Sequence, residues 1–174
     1  LGSLLFITTN IDTLLEHALR SERGRGTHVN VWPDENESVH SILKKPWPSV
    51  VHIHGIVDHP DTWVLTERAY ARIRADHDIQ QFVKRALLDR PFLFVGYSLN
   101  PQDNHLLKIF ETLQLQLRDW NHAHLALFQD YELEIEPARA DQLRNQYRIH
   151  SVGYPVERIK ELFTALSRPK SIPK

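Results

Sequence analysis

Three short polar motifs hold the side chains best suited to chemistry: Thr8-Thr9-Asn10-Ile11-Asp12, His52-Ile53-His54-Gly55 and Gly96-Tyr97-Ser98. They offer a carboxamide (Asn10), a carboxylate (Asp12), an imidazole (His54), hydroxyls (Thr8, Thr9, Ser98) and bare backbone (Gly55, Gly96). An imidazole exchanges protons near neutral pH, and glycine lets a ligand approach the main chain closely. Each motif closes a run of strand length: Leu4–Ile7, Ser49–His54 and Pro91–Val95. In a parallel sheet the three endings share the carboxyl edge, where open α/β sheets bind ligands. The expectation is one cleft lined by Asn10, His54 and Ser98.

Each of these residues also has a structural reading. Thr8, Thr9 and Asn10 are good caps for a following helix. Asp12 suits a first helical turn, where a carboxylate meets the helix dipole, and that role is compatible with ligand binding. His54 could be a strand-end histidine satisfied by backbone, and Tyr97 could simply pack. His52 and His54 fall on one strand face, but no acidic or cysteine partner sits at metal-ligand spacing, so no metal is expected. The other nine of the 11 histidines are scattered and are read as solvated.

The elements that must position these groups follow from periodicity. The apolar pairs Leu14/Leu15 and Ala18/Leu19 predict a helix from about Thr13 to Leu19 or a little beyond. Ser21–Thr27 is a polar loop; its Gly24-x-Gly26 follows a helix and lacks a third glycine, which argues against a phosphate-binding loop. Val29–Trp32 reads as a short strand, and Trp63-Val64-Leu65 as another. Thr66 is placed to cap a helix through Tyr70 toward Ala75. Ile79, Phe82, Val83, Ala86 and Leu87 fit one helical face. Pro91–Val95 is continuously apolar, the pattern of a strand buried on both faces.

Leu106, Phe110, Leu113 and Leu117 predict a further helix, His124–Phe128 a buried strand, and Pro137 to about Gln146 a helix. Arg148–Val152 then reads as a strand, and Val156, Ile159, Phe163 and Leu166 mark a closing helix before a frayed tail at 168–174. Strands alternating with helices of this length predict an α/β fold with a mostly parallel, doubly wound sheet in a single domain.

Composition narrows the class. Among 174 residues, 21 Lys+Arg balance 22 Asp+Glu, which favours neither nucleic acid nor a membrane surface as partner. There is no cysteine, which excludes disulfides and four-cysteine zinc sites. No apolar run reaches membrane-span length and no signal peptide opens the chain, so a cytoplasmic location is expected. The chain begins with Leu, contains no Met and enters a strand almost at once, as an excised piece with an upstream portion missing would.

Four motifs in order resemble the sirtuin-like family, the domains related to silent information regulator proteins. They are Thr8–Asp12 with Leu14, Leu15 and Glu16; Ile53-His54-Gly55; Val64-Leu65-Thr66 with Tyr70; and Phe94-Val95-Gly96-Tyr97-Ser98-Leu99 with Asp103. The pattern is most similar to the bacterial anti-phage branch, with Ile11 in place of its usual tyrosine. The resemblance covers nearly the whole chain and implies a Rossmann-like fold whose first strand and glycine-rich loop have no counterpart here and would lie upstream of Leu1. It implies NAD as substrate and no zinc.

In that family the position matching Asn10 orients water and ribose, that matching Asp12 holds the nicotinamide carboxamide, and that matching His54 acts as base on a ribose hydroxyl. The resemblance likewise assigns Thr8, Thr9, Ile11, Gly55, Gly96, Tyr97 and Ser98 to NAD contacts. The implied activity is NAD glycohydrolysis in phage defence, by a homo-oligomer or with an accessory sensor domain or protein. Two rivals remain: an NAD-dependent protein deacylase, which the missing zinc ribbon disfavours, and a non-catalytic module for NAD, ADP-ribose or assembly. With its phosphate loop absent, the isolated piece is expected to bind NAD weakly, to hydrolyse it negligibly and to leave a strand position open beside Leu4–Thr8.

Overall fold

A computed structural model describes residues 5–23, 28–33, 38–45, 48–96, 99, 111, 123–129 and 137–161. The chain divides into two compact units, Leu1–Ala86 and Leu87–Lys174. Gly24-x-Gly26, Tyr97, Ser98, Asp103, the expected helix from Leu106 to Leu117, the closing helix beyond Glu161 and the tail lie outside the described residues.

The first unit is built on β1 (Leu5–Thr8), β2 (Asn30–Trp32) and β3 (Ser49–His52) in the order β1-β3-β2, all parallel. β3 is central, and all four of its residues are buried, which is why Ser49-Val50-Val51-His52 reads without hydrophobic alternation. β1 sits at the edge of this sheet and is half-buried. Thr8 pairs with His52, so both strands end at one level and their following loops leave the same edge.

Among the described residues the helices here are α1 (Leu14–Arg23), α2 (Val39–Ile42), α3 (Glu67–Ala75) and α4 (His77–Asp89), the last running three residues beyond Ala86. The α4 stripe is buried as its spacing predicts: Ile79, Phe82, Val83, Ala86 and Leu87 are all inside. Thr66 caps α3 through Oγ1, which accepts from the Ala69 N–H at 3.2 Å. Asp76 does the same for α4, accepting from the Ile79 N–H at 3.0 Å.

Three expectations change here. The third strand ends at His52 rather than His54, because the chain turns at Ile53–His54 and enters Gly55 at φ +88°. Trp63-Val64-Leu65 is not a strand; the Trp63 N–H donates back to the Pro60 carbonyl at 3.2 Å and the Val64 N–H to the His54 carbonyl at 3.0 Å, after the 3-10 turn Pro60–Thr62. In α1 the burial inverts simple hydropathy: Leu14 is 72% exposed while Glu16 is 1% exposed.

The second unit carries β4 (Leu93–Val95), β5 (His124–Gln129), α5 (Pro137–Tyr147) and β6 (Ile149–Tyr154), with the parallel order β4-β5-β6. One sheet face, with Phe94, Ala126, Phe128 and Ile149, is buried together with Leu143 and Tyr147 of α5. The Arg139 guanidinium lies 5.3 Å from the centre of the Phe128 ring. The other face is half open: Leu93, Val95, Leu125 and Val152 are 36–44% exposed. Pro91–Val95 is therefore not buried on both faces. Its three strand residues alternate, with only Phe94 inside, because a strand directs successive side chains to opposite faces. His124 is also not solvated; it is fully buried and its Nδ1 accepts from the Phe92 N–H at 3.0 Å.

Candidate functional site

The carboxyl edge of β1 and β3 is where the chemistry-bearing residues of the first unit gather. After β1 the backbone runs through Thr9–Thr13 into α1; after β3 it turns through Ile53–Asp58. Three bonds tie the two loops. The Ile53 N–H donates to the Thr8 carbonyl at 3.0 Å and the Val57 N–H to the Ile11 carbonyl at 2.7 Å. Between them, His52 Nδ1 reaches the Asn10 carbonyl at 2.8 Å. Asn10 and His54 thus stand on adjoining, mutually bonded turns.

The local conformation explains how each side chain is presented. Thr8 Oγ1 accepts from the Asn10 N–H at 3.0 Å, a turn hydroxyl bond that fixes the exit from β1. Asp12 Oδ1 accepts from the Leu14 N–H at 3.0 Å and so opens α1. Asp12 lies two residues before α1 rather than in its first turn, and it remains exposed at the loop surface. The hydrogen bonds of Asn10 described above run through its backbone, and the residue is exposed. Thr9 and Ile11 are half-buried in the same loop.

His54 is half-buried. Its ring stands edge-on to Tyr70 of α3, with centroids 5.3 Å apart and planes at 84°. Its carbonyl anchors Val64, and the turn that follows is self-bonded. Thr62 Oγ1 donates to the His59 carbonyl at 2.6 Å and accepts from the Ile56 N–H at 3.2 Å. Trp63 Nε1–H donates to the Ile56 carbonyl at 2.8 Å. Gly55 is forced by this packing: a Cβ there would sit 2.4 Å from the Thr62 carbonyl oxygen. In the second unit Gly96 also has positive φ, +65°, but a Cβ there would meet nothing within 4 Å. Its backbone is open to an approaching group.

Residues 4–152 match the family model described as SIR2-like domain. The chain belongs to the SIR2-like family. Parallel strands in both units agree with the Rossmann-like architecture of such a domain. Membership connects the SIR2-like chain to NAD-related function. Among the described residues, no group of three or more His, Cys, Asp or Glu side chains is arranged to hold a metal ion. No described helix is long and apolar enough to cross a membrane.

The structure brings Thr8, Thr9, Asn10, Ile11, Asp12, His54 and Gly55 of this SIR2-like chain to one edge and places Gly96 at the end of β4. Three neighbours appear in the motifs quoted above but were assigned no role at the site: Glu16, His52 and Tyr70. Glu16 lies within one helical turn of Leu15 and Leu19, and a carboxylate beside an apolar stripe was the available signal. Tyr70 follows the Thr66 cap by four residues, one turn of α3, but no periodicity could announce its contact with His54.

Proposed function

We propose that the intact protein, through this SIR2-like domain, hydrolyses the bond between nicotinamide and ribose in NAD, releasing nicotinamide and ADP-ribose. One observation carries the reading: the exposed Asn10 and the half-buried His54 imidazole stand on bonded turns at a single sheet edge. Cleavage of that bond passes through a cation-like ribose, as in glycoside hydrolysis. His54 accepts a proton from a ribose hydroxyl, with its ring direction set by Tyr70. Asn10 orients the attacking water and the ribose. Asp12 uses one oxygen to open α1 and offers the other to the nicotinamide carboxamide.

The resemblance assigns Gly96 and Ser98 to ribose and phosphate contacts and counts Tyr97 among the residues that contact NAD. It also supports depletion of NAD during phage infection as the physiological form of the activity, carried out in the cytoplasm by a homo-oligomer or with an accessory sensor.

The test is a nicotinamide-release assay on the intact protein, run with and without an acylated lysine peptide. The expected result is release of nicotinamide and free ADP-ribose without peptide, and loss of both in Asn10→Ala and His54→Ala. Release that requires the peptide would identify a deacylase instead. Parental rates in His54→Ala would overturn the assignment of the base.

A further inference from the structure

We propose that Glu16 and His52 are positioning residues that hold Asn10 in its working orientation from beneath the site. The inference rests on the hydrolase reading above and deepens it. His52 is 0% exposed and Glu16 1% exposed, and His52 Nε2 lies 2.5 Å from Glu16 Oε1. The other ring nitrogen, Nδ1, lies 2.8 Å from the Asn10 carbonyl oxygen. A carbonyl only accepts, so Nδ1 carries a hydrogen. Nε2 and Oε1 then share one proton, as imidazolium and carboxylate or as imidazole and carboxylic acid. Either state is neutral overall, which makes the pair tolerable inside the protein.

Stability does not account for this arrangement. Glu16 Oε2 is buried with no hydrogen-bond partner, a cost to the fold. A buried ion pair of this kind is often replaced by apolar side chains without loss of stability. What an apolar pair would lack is the Nδ1 donor. The flanking carbonyls of Thr8 and Ile11 take backbone N–H groups from the turn after β3, whereas the described backbone bonds give the Asn10 carbonyl none. The imidazole supplies the missing donor, and Glu16, six residues on in α1, fixes the ring that supplies it. The clamp bonds the backbone of Asn10, an exposed residue.

The experiment compares Glu16→Leu, His52→Phe and Glu16→Gln in the intact protein by steady-state NAD turnover, amide hydrogen exchange and thermal melting. Glu16→Leu and His52→Phe are expected to lower kcat ten- to hundredfold while KM for NAD stays within threefold. Exchange at the Ile53 and Val57 amides should quicken at least tenfold. Glu16→Gln, whose amide donates to Nε2 and preserves Nδ1–H, should keep kcat within threefold and parental exchange.

Parental kcat and exchange in Glu16→Leu would overturn the clamp. A loss of kcat in Glu16→Gln equal to that in Glu16→Leu would also overturn it, since the ring would still be held. If Glu16→Leu alone fails to fold, the double variant Glu16→Leu/His52→Leu gives an apolar pair, and the same two readouts decide. A parental protein that releases no nicotinamide overturns the hydrolase reading, and amide exchange then still decides whether the clamp orders the loop.

Discussion

His52 and His124 are both fully buried histidines at a strand end, one in each unit, and they are put to opposite uses. His52 closes β3 at its carboxyl end, donates from Nδ1 to the Asn10 carbonyl and meets a carboxylate at Nε2. His124 opens β5 at its amino end, and its Nδ1 accepts from the Phe92 backbone. The first ties the loop after β1 to the sheet; the second satisfies a backbone donor beside β4. Burial of a titratable side chain is therefore a poor guide to function without its direction and partner. The edge of the sheet at which it lies is the better guide.

The largest effect should come from the site itself. Asn10→Ala and His54→Ala are expected to reduce NAD turnover by about 10²–10⁴-fold, the range for losing a positioned acid–base group, with the melting temperature little changed. His124→Phe should do the reverse. It leaves the Phe92 N–H without its acceptor, at about 1–3 kcal/mol in chemical denaturation, and leaves turnover per folded molecule near the parental value. A hundredfold loss of turnover in His124→Phe would break the distinction between the two histidines.

The two positive-φ glycines sharpen the same contrast. Gly55→Ala faces both the left-handed backbone and the Thr62 carbonyl 2.4 Å from the new Cβ. A cost above about 2 kcal/mol is expected, since the strain of the left-handed region alone is about 1–2 kcal/mol. Gly96→Ala has open space around it and should lose only that conformational part, about 1–2 kcal/mol. Equal losses would mean that the turn around Gly55 relaxes freely. Smaller again is Tyr70→Leu, which removes the ring edge beside His54; about 0.5–1.5 kcal/mol of orientation is at stake, read as a several-fold fall in kcat that Tyr70→Phe restores.

The smallest effect is confined to alkaline pH in the second unit. Burial, then the hydrogen bond to Glu111 and its negative charge, raise the Tyr147 hydroxyl above its usual 10.0. Because the folded value is the higher one, this contribution to stability is complete below pH 10 and is lost as the pH rises through the folded value. Absorbance at 295 nm should show Tyr147 ionising after an exposed tyrosine does, and Glu111→Gln should bring it down.

Much of the architecture was legible because it depends on local rules. The α4 stripe, the Thr66 cap, the helix from Pro137 and the parallel alternation of elements all follow from 3.6-residue periodicity, capping chemistry and apolar runs. The identities of Asn10, Asp12 and His54 as edge residues followed from strands that stop at polar motifs. Where reading failed, neighbours distant in sequence decided. Leu93 and Val95 look like core residues, yet in a strand of a sheet with one half-open face they are 36% and 40% exposed. The Trp63–Leu65 run has strand composition, but its partner is a turn, so no ladder forms.

By itself, then, the sequence determined which residues could do chemistry and on which elements they would ride, since side-chain type and short-range spacing are written in it directly. Only the tertiary structure decided that Glu16 would be buried and that His52 would look toward Asn10 rather than share a face with His54. That contact joins residues 42 positions apart. The physical reason is that a buried polar group is stable only with a partner, and the partner is chosen by how β1 and β3 pair. Strand register is a property of the folded chain, and in this protein the register of Thr8 with His52 places a carboxylate, an imidazole and a backbone carbonyl in line beneath the site.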